Sequence, residues 1–150
     1  PMPHPTRARP CVAVFAGGRF WIVDTGPGSW NHLALWQVDG GRISGVLLTH
    51  FHSDHMGELG EFNLQTWVAG RPGPLQVFGP QGVDRLVNGF NEAYTLDRGY
   101  RVAHHGADVL APEKGLMEAR VVAGPAEGSG PAVVVKEGDL TITAFSVTHS

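Results

Sequence analysis

A chain of 150 residues with 42% apolar side chains has room for one domain with a sizeable core, or for a piece of a larger one. Eleven Lys and Arg against fourteen Asp and Glu leave a formal charge of -3 with no basic patch, so charge lends no support to nonspecific nucleic-acid or membrane-surface binding. A single cysteine, Cys11, excludes an intrachain disulfide, and no apolar run approaches the ~20 residues of a membrane span. A cytoplasmic setting is favoured, and export stays open because the first residue is Pro1 rather than Met.

Residues 1–10 are Pro-rich and basic and read as irregular. Residues 11–16 and 20–24 are strand-like, and Gly17-Gly18 between them predicts a hairpin, because both glycines can take positive φ. Residues 25–29 form a turn whose Ser29 caps a helix over 30–38, stopped by Gly40-Gly41. The continuous apolar run at 45–49 predicts a strand covered on both faces. A helix is expected over 57–69 with Leu59, Phe62 and Trp67 inward, then a strand over 75–79. Val83, Leu86, Val87, Phe90 and Tyr94 recur at helical spacing, which predicts a helix over 81–96. Signals weaken from 97 to 130, where only a strand at 117–123 stands out. A final hairpin turns at Gly138-Asp139, and its second strand leads to His149. The order is mixed α/β.

Between the run at 45–49 and the helix after it lie His50, His52, Asp54 and His55, four ligand-type residues within six positions. On extended backbone His50 and His52 leave on the same side and can share a metal ion at ~2.0–2.1 Å per nitrogen. If the loop turns, Asp54 and His55 converge on a second point. Imidazole and carboxylate without thiolate suit zinc, iron or manganese, with zinc the default. The competing reading is a polar loop, which four such residues in so short a run disfavour.

Other residues have plainer readings. The 25–29 turn could receive a phosphate on free N–H groups, but a turn capped by Ser29 is favoured. His104 and His105 either face a substrate groove or form an exposed loop pair. Cys11 reads as a small core residue. Trp30, Trp36 and Trp67 read as helix residues of the core, Trp67 with the option of lining a pocket. His4 and His32 read as solvated. No G-x-S-x-G stretch is present, so a serine hydrolase has no foothold.

The run His50-x-His52-x-Asp54-His55 after an apolar strand resembles the signature of the metallo-β-lactamase superfamily. DTGPGS at 24–29 and SVTHS at 146–150 are similar to its earlier Asp-containing turn and its strand-end histidine. Within it, VLLTHFHSDH, VFGPQGV and TAFSVTHS most resemble the branch of ribonuclease Z, related phosphodiesterases and arylsulfatases. The resemblance implies the N-terminal half of an αββα sandwich, with residues 1–150 as one incomplete domain cut at both ends. It implies His50, His52 and His149 on one zinc, Asp54 and His55 on a second, and Asp24 steadying the metal loop. A metal-bridging hydroxide, oriented by Asp54, would be the nucleophile.

The implied function is a ribonuclease Z-like phosphodiesterase acting on an anionic ester such as a tRNA precursor, without membrane, as a homodimer in its longer parent. Arylsulfatase-like or lactonase-like hydrolysis and a non-catalytic metal-binding fragment are the alternatives. The bridging Asp and last His of the family would lie beyond Ser150, so the chain alone is expected to bind about one zinc tightly and to turn over little. Glu58 and Glu61 depart from the ribonuclease Z pattern and would place negative charge near an RNA backbone.

Overall fold

The computed structural model describes residues 2, 4–125 and 128–148. Gly17 and Gly18, at φ 57° and 74°, turn β1 (Val12–Ala16) into antiparallel β2 (Arg19–Val23). The chain continues through α1 (Ser29–Leu35), β3 (Ile43–Leu47), α2 (Ser53–Met56), α3 (Leu59–Val68) and β4 (Leu75–Gly79). Then come α4 (Val83–Ala93), α5 (Thr95–His105) and β5 (Met117–Val121). β1 to β5 form one sheet in chain order, parallel from β2 onward. β6 (Ala132–Glu137) and β7 (Leu140–Ala144) form a separate antiparallel pair.

Phe20 and Ile22 of β2 face the helices, where they join Val46, Leu75, Val77 and Met117 of the sheet with Leu33, Leu59, Phe62, Val83 and Val87. Burying each large apolar side chain contributes roughly 1.5–3 kcal/mol. That outweighs the ~1 kcal/mol or less that separates helix propensities. This is why α3 holds although it contains Gly60, Asn63 and Thr66: seven of its ten residues are buried. On the opposite face Trp21 packs edge-on against Phe78, with ring centroids 5.6 Å apart. Gly45 makes room for it, since a Cβ there would lie 2.7 Å from the indole. The Trp21 Nε1–H donates to Glu137 at 3.1 Å, and Arg19 reaches the same carboxylate, so the β6–β7 hairpin is tied across this face. The fold is therefore mixed α/β, with helices on one face of a central sheet and a second, small sheet tied to the other.

Several boundaries differ from expectation. α1 ends at Leu35, not at residue 38, where the chain turns through Trp36 and a left-handed Gln37 at φ 56°. Trp36 is consequently 71% exposed and not part of the core, while Trp30 packs against it and Trp67 is buried. The helix expected over 57–69 is α3, Leu59–Val68, and an unexpected short helix, α2, precedes it within the histidine run, parted from it at Gly57-Glu58. The helix expected over 81–96 stops at Tyr94, and α5 follows at once. α5 escaped sequence reading because it buries no residue: Leu96 and Tyr100 are exposed, and Gly99 interrupts the pattern. β3 spans 43–47, so Thr49 is released from the strand. No helix among the described residues is long and apolar enough to cross a membrane.

Candidate metal centre

β2 and β3 are parallel neighbours, with Val23 opposite Leu47, so their carboxyl ends open side by side. In parallel sheets this edge is where ligands are bound. Asp24 follows β2 with φ 61°, a left-handed conformation that Asp tolerates better than most residues. The turn aims its carboxylate, which is only 5% exposed as part of a buried residue, at the loop leaving β3.

That carboxylate accepts hydrogen bonds from the Thr49 amide at 2.8 Å, the Thr49 hydroxyl at 2.9 Å and the His55 Nδ1–H at 2.8 Å. The consequences for the imidazoles follow from counting protons. His55 carries its proton on Nδ1, so Nε2 is the nitrogen with a lone pair. Thr49 gives its hydroxyl proton to Asp24, and the same oxygen lies 3.0 Å from His50 Nδ1, which therefore donates to it. His50 then presents its lone pair at Nε2. One buried carboxylate thus sets the tautomers of two histidines, one directly and one through Thr49.

The presented atoms form two pairs. His52 Nδ1–H donates to His50 Nε2 at 3.0 Å, and an ion shared by the two nitrogens would take the place of that proton. Asp54 Oδ2 and His55 Nε2 are 3.6 Å apart. Two ligands on a tetrahedral ion, each ~2.0–2.1 Å from it, lie about 3.3 Å from one another. The two separations bracket that value, and imidazole with carboxylate is a donor set a divalent ion accepts. The His50 ring is near both partners, its centroid 4.7 Å from that of His52 and 4.1 Å from that of His55. Among the described residues no three His, Cys, Asp or Glu side chains surround a common point suited to a metal. The expected third ligand, His149, lies outside the described residues.

The 24–29 turn is pressed onto this loop. Thr25 N–H donates to the His55 carbonyl at 2.6 Å, and the Thr25 carbonyl accepts from Glu58 N–H at 2.9 Å. Gly26 sits where a Cβ would collide with the Asp54 carbonyl oxygen and the Arg9 side chain, so only glycine fits. The expected Ser29 cap is not found: Gly28 at φ 87° occupies the cap position and Ser29 begins the helix. The capping acceptor is Glu58, thirty residues away in sequence, whose carboxylate receives Gly28 N–H at 3.0 Å and Trp30 N–H at 2.9 Å. Those amides are therefore engaged, which removes the phosphate reading of the turn. Glu58 also does not stand as exposed charge awaiting RNA, and Glu61 accepts from Gln65 at 2.7 Å.

His104 and His105 end α5 rather than lying in a loop, both exposed, their rings 4.6 Å apart. His4 is exposed and accepts the Thr6 amide at 3.2 Å, and the His32 ring faces Trp36 at 6.4 Å. Thr49 and Glu58 were not recognised from sequence as parts of the site. A hydroxyl at a strand end beside a histidine is a weak cue for Thr49, and nothing local pairs Glu58 with Gly28.

Cys11 packs against the core, and burial pushes its thiol up to about 11, despite a hydrogen bond with Ser29 that works the other way. At pH 8 such a thiol is about one part in a thousand thiolate, against roughly a quarter for an unfolded cysteine near 8.5. Iodoacetamide labelling followed by mass spectrometry should therefore run at least about tenfold slower in the folded chain than in urea. Equal rates would show the thiol to be open and ordinary.

The sequence pattern of the metallo-beta-lactamase superfamily matches residues 5–143. Ribonuclease Z of Mycobacterium marinum is 46% identical over 115 residues, which cover 75% of this chain and 41% of that protein. Ribonuclease Z of Mycobacterium bovis is 43% identical over the same shares. The chain thus spans about two fifths of the length of these curated relatives. Among solved structures, human tRNase Z, short form, superposes with a TM-score of 0.63 at 22% identity, covering 95% of this chain and 55% of that one. A match over nearly the whole chain, a sheet with helices of the same architecture, and a histidine loop held at the carboxyl ends of two parallel strands lead to one assignment: the chain belongs to the metallo-beta-lactamase superfamily.

Proposed function

We propose that this chain carries the divalent-metal centre of a ribonuclease Z-like phosphodiesterase whose substrate is a tRNA precursor. The observation that carries the metal reading is the pairing of His50 Nε2 with His52 Nδ1 at 3.0 Å and of Asp54 Oδ2 with His55 Nε2 at 3.6 Å. The relatives' name supports the substrate class. In this reading the first pair, completed by His149, holds one ion and the second pair holds another. Zinc suits the donors best, with manganese or iron as substitutes. A divalent ion bound there supplies a water whose pKa is lowered towards ~7, and Lewis acidity towards an ester oxygen.

The chain's own residues do the rest. Asp24 and Thr49 keep the His50 and His55 lone pairs aimed inward, and Asp54 orients the attacking water by accepting a hydrogen bond from it. His104 and His105 offer exposed imidazole donors to an anionic substrate.

The test combines zinc per chain by atomic absorption, for the native chain and His52→Ala, with cleavage assays in a protein of its relatives' full length. Precursor tRNA, an aryl phosphodiester, an aryl sulfate and a lactone are compared. Zinc lost in the variant, with phosphodiesters cleaved preferentially, is the expected result. Zinc content indifferent to His52→Ala, or preference for the sulfate or lactone, overturns it.

A further inference from the structure

Glu58 stands outside the histidine run, yet its amide and its carboxylate both grip the 24–29 turn. We propose, resting on the metal-centre reading above, that Glu58 is a positioning residue: it locks this turn against α2 and so holds Asp54 and His55 in register for their ion. α2 has only four residues, far too few to persist by its own hydrogen bonds. Its beginning is held by the His52 carbonyl, which accepts from His55 N–H at 2.9 Å. Its end is held by Glu58 N–H, which donates to Thr25 at 2.9 Å.

His55 is gripped by the turn twice, at its carbonyl by Thr25 and at its ring by Asp24. Arg9 N–H on the Pro27 carbonyl at 3.1 Å and Ser29 N–H on the Gly26 carbonyl at 3.2 Å hold the middle of the turn, but its far end passes through Gly28, in a left-handed conformation that glycine also leaves easily. The Glu58 carboxylate fixes that end with three donors, Gly28 N–H at 3.0 Å, Trp30 N–H at 2.9 Å and the Ser29 hydroxyl at 3.0 Å. Hydrogen bonds to an ionised acceptor are roughly twice as strong as neutral ones, and the start of α1 favours negative charge. Turn, His55, α2 and Glu58 therefore close a ring. His50 precedes α2 and is tied to the ring through Thr49 and Asp24, at the end of the turn farthest from Glu58, while His52 meets the ring through the carbonyl that caps α2.

That placement predicts an asymmetry which a simple helix cap would not produce. Glu58→Ala and Glu58→Gln are compared with the native chain. NMR follows the His55 and His50 Nδ1–H exchange rates, and cobalt absorption titrations follow metal binding. In Glu58→Ala the His55 proton is expected to exchange about tenfold faster and the second cobalt to bind about tenfold more weakly. The His50 proton and the first cobalt should stay within about twofold. Glu58→Gln, which keeps an acceptor oxygen, should recover part of the His55 protection.

A lowered melting temperature with His55 and His50 shifted equally, or with neither shifted, would show a cap and nothing more. If native chain takes up no cobalt, the metal reading fails, and the two exchange rates still decide the role of Glu58.

Discussion

Asp24→Ala is expected to lower divalent-metal affinity by about 10–100-fold, measured by competition with a chromogenic chelator. Three donors converge on this carboxylate, from the Thr49 amide, the Thr49 hydroxyl and His55. Removing it frees the His55 ring to flip and leaves the Thr49 hydroxyl able to rotate towards His50. Both presented lone pairs then depend on chance orientation, and each pair of donors loses a fixed member. Ala also fits poorly at φ 61°, a conformation that costs a residue with a Cβ roughly 1–2 kcal/mol. Asp24→Asn separates the two effects, since Asn tolerates that backbone and keeps one acceptor oxygen while losing the charge. It should fall between native and Ala in affinity and remain near native in stability. Native affinity in both variants would mean that the histidines are oriented by something other than Asp24.

The largest expected loss of stability lies away from the metal loop, at Arg71. This guanidinium is buried, with no carboxylate among its partners in the described residues, and burial brings it down to about 10, so it stays cationic at neutral pH. Its compensation is a full set of oxygens. Nε–H donates to the Gly73 carbonyl at 2.6 Å, and Nη1 to the Thr66 hydroxyl at 2.6 Å. Nη2 donates to Asn63 Oδ1 at 3.0 Å, to the Leu116 carbonyl at 3.3 Å and to the Lys114 carbonyl.

One side chain thus clasps α3 to the segment that enters β5. Arg71→Leu would strand several of these acceptors in the interior, where each unsatisfied group costs about 1–3 kcal/mol before relaxation. A net loss of about 3–5 kcal/mol is expected in urea denaturation, with a melting temperature lower by roughly 10 °C. Arg71→Lys should recover little, because a single ammonium cannot span acceptors on both sides of the clasp. A loss under about 1 kcal/mol in Arg71→Leu would mean that water replaces the guanidinium there.

By itself the sequence determined the features that rest on neighbours along the chain. Gly17-Gly18 sets the first hairpin because positive φ is a property of the residue. The 75–79 run is β4 to the residue, since a short apolar stretch between turn formers has little else to become. His50, His52, Asp54 and His55 announce themselves by composition, and family resemblance added Asp24. Tertiary structure decided what depends on partners far away. Whether Ser29 or Glu58 caps α1 turns on a residue thirty positions on, which local propensity cannot weigh. Trp36 looks like core by type and is exposed because α1 stops one residue before it. α5 buries none of its residues, and Leu96 and Tyr100 stay exposed, so its place was decided by what packs around it rather than by a core-facing stripe. The tautomers of His50 and His55 follow from a buried carboxylate at the end of a neighbouring strand, brought there by the parallel register of β2 and β3. Local signals report what a residue can do, and long-range packing selects which donor meets which acceptor, because only the folded chain removes the water that would otherwise satisfy them both.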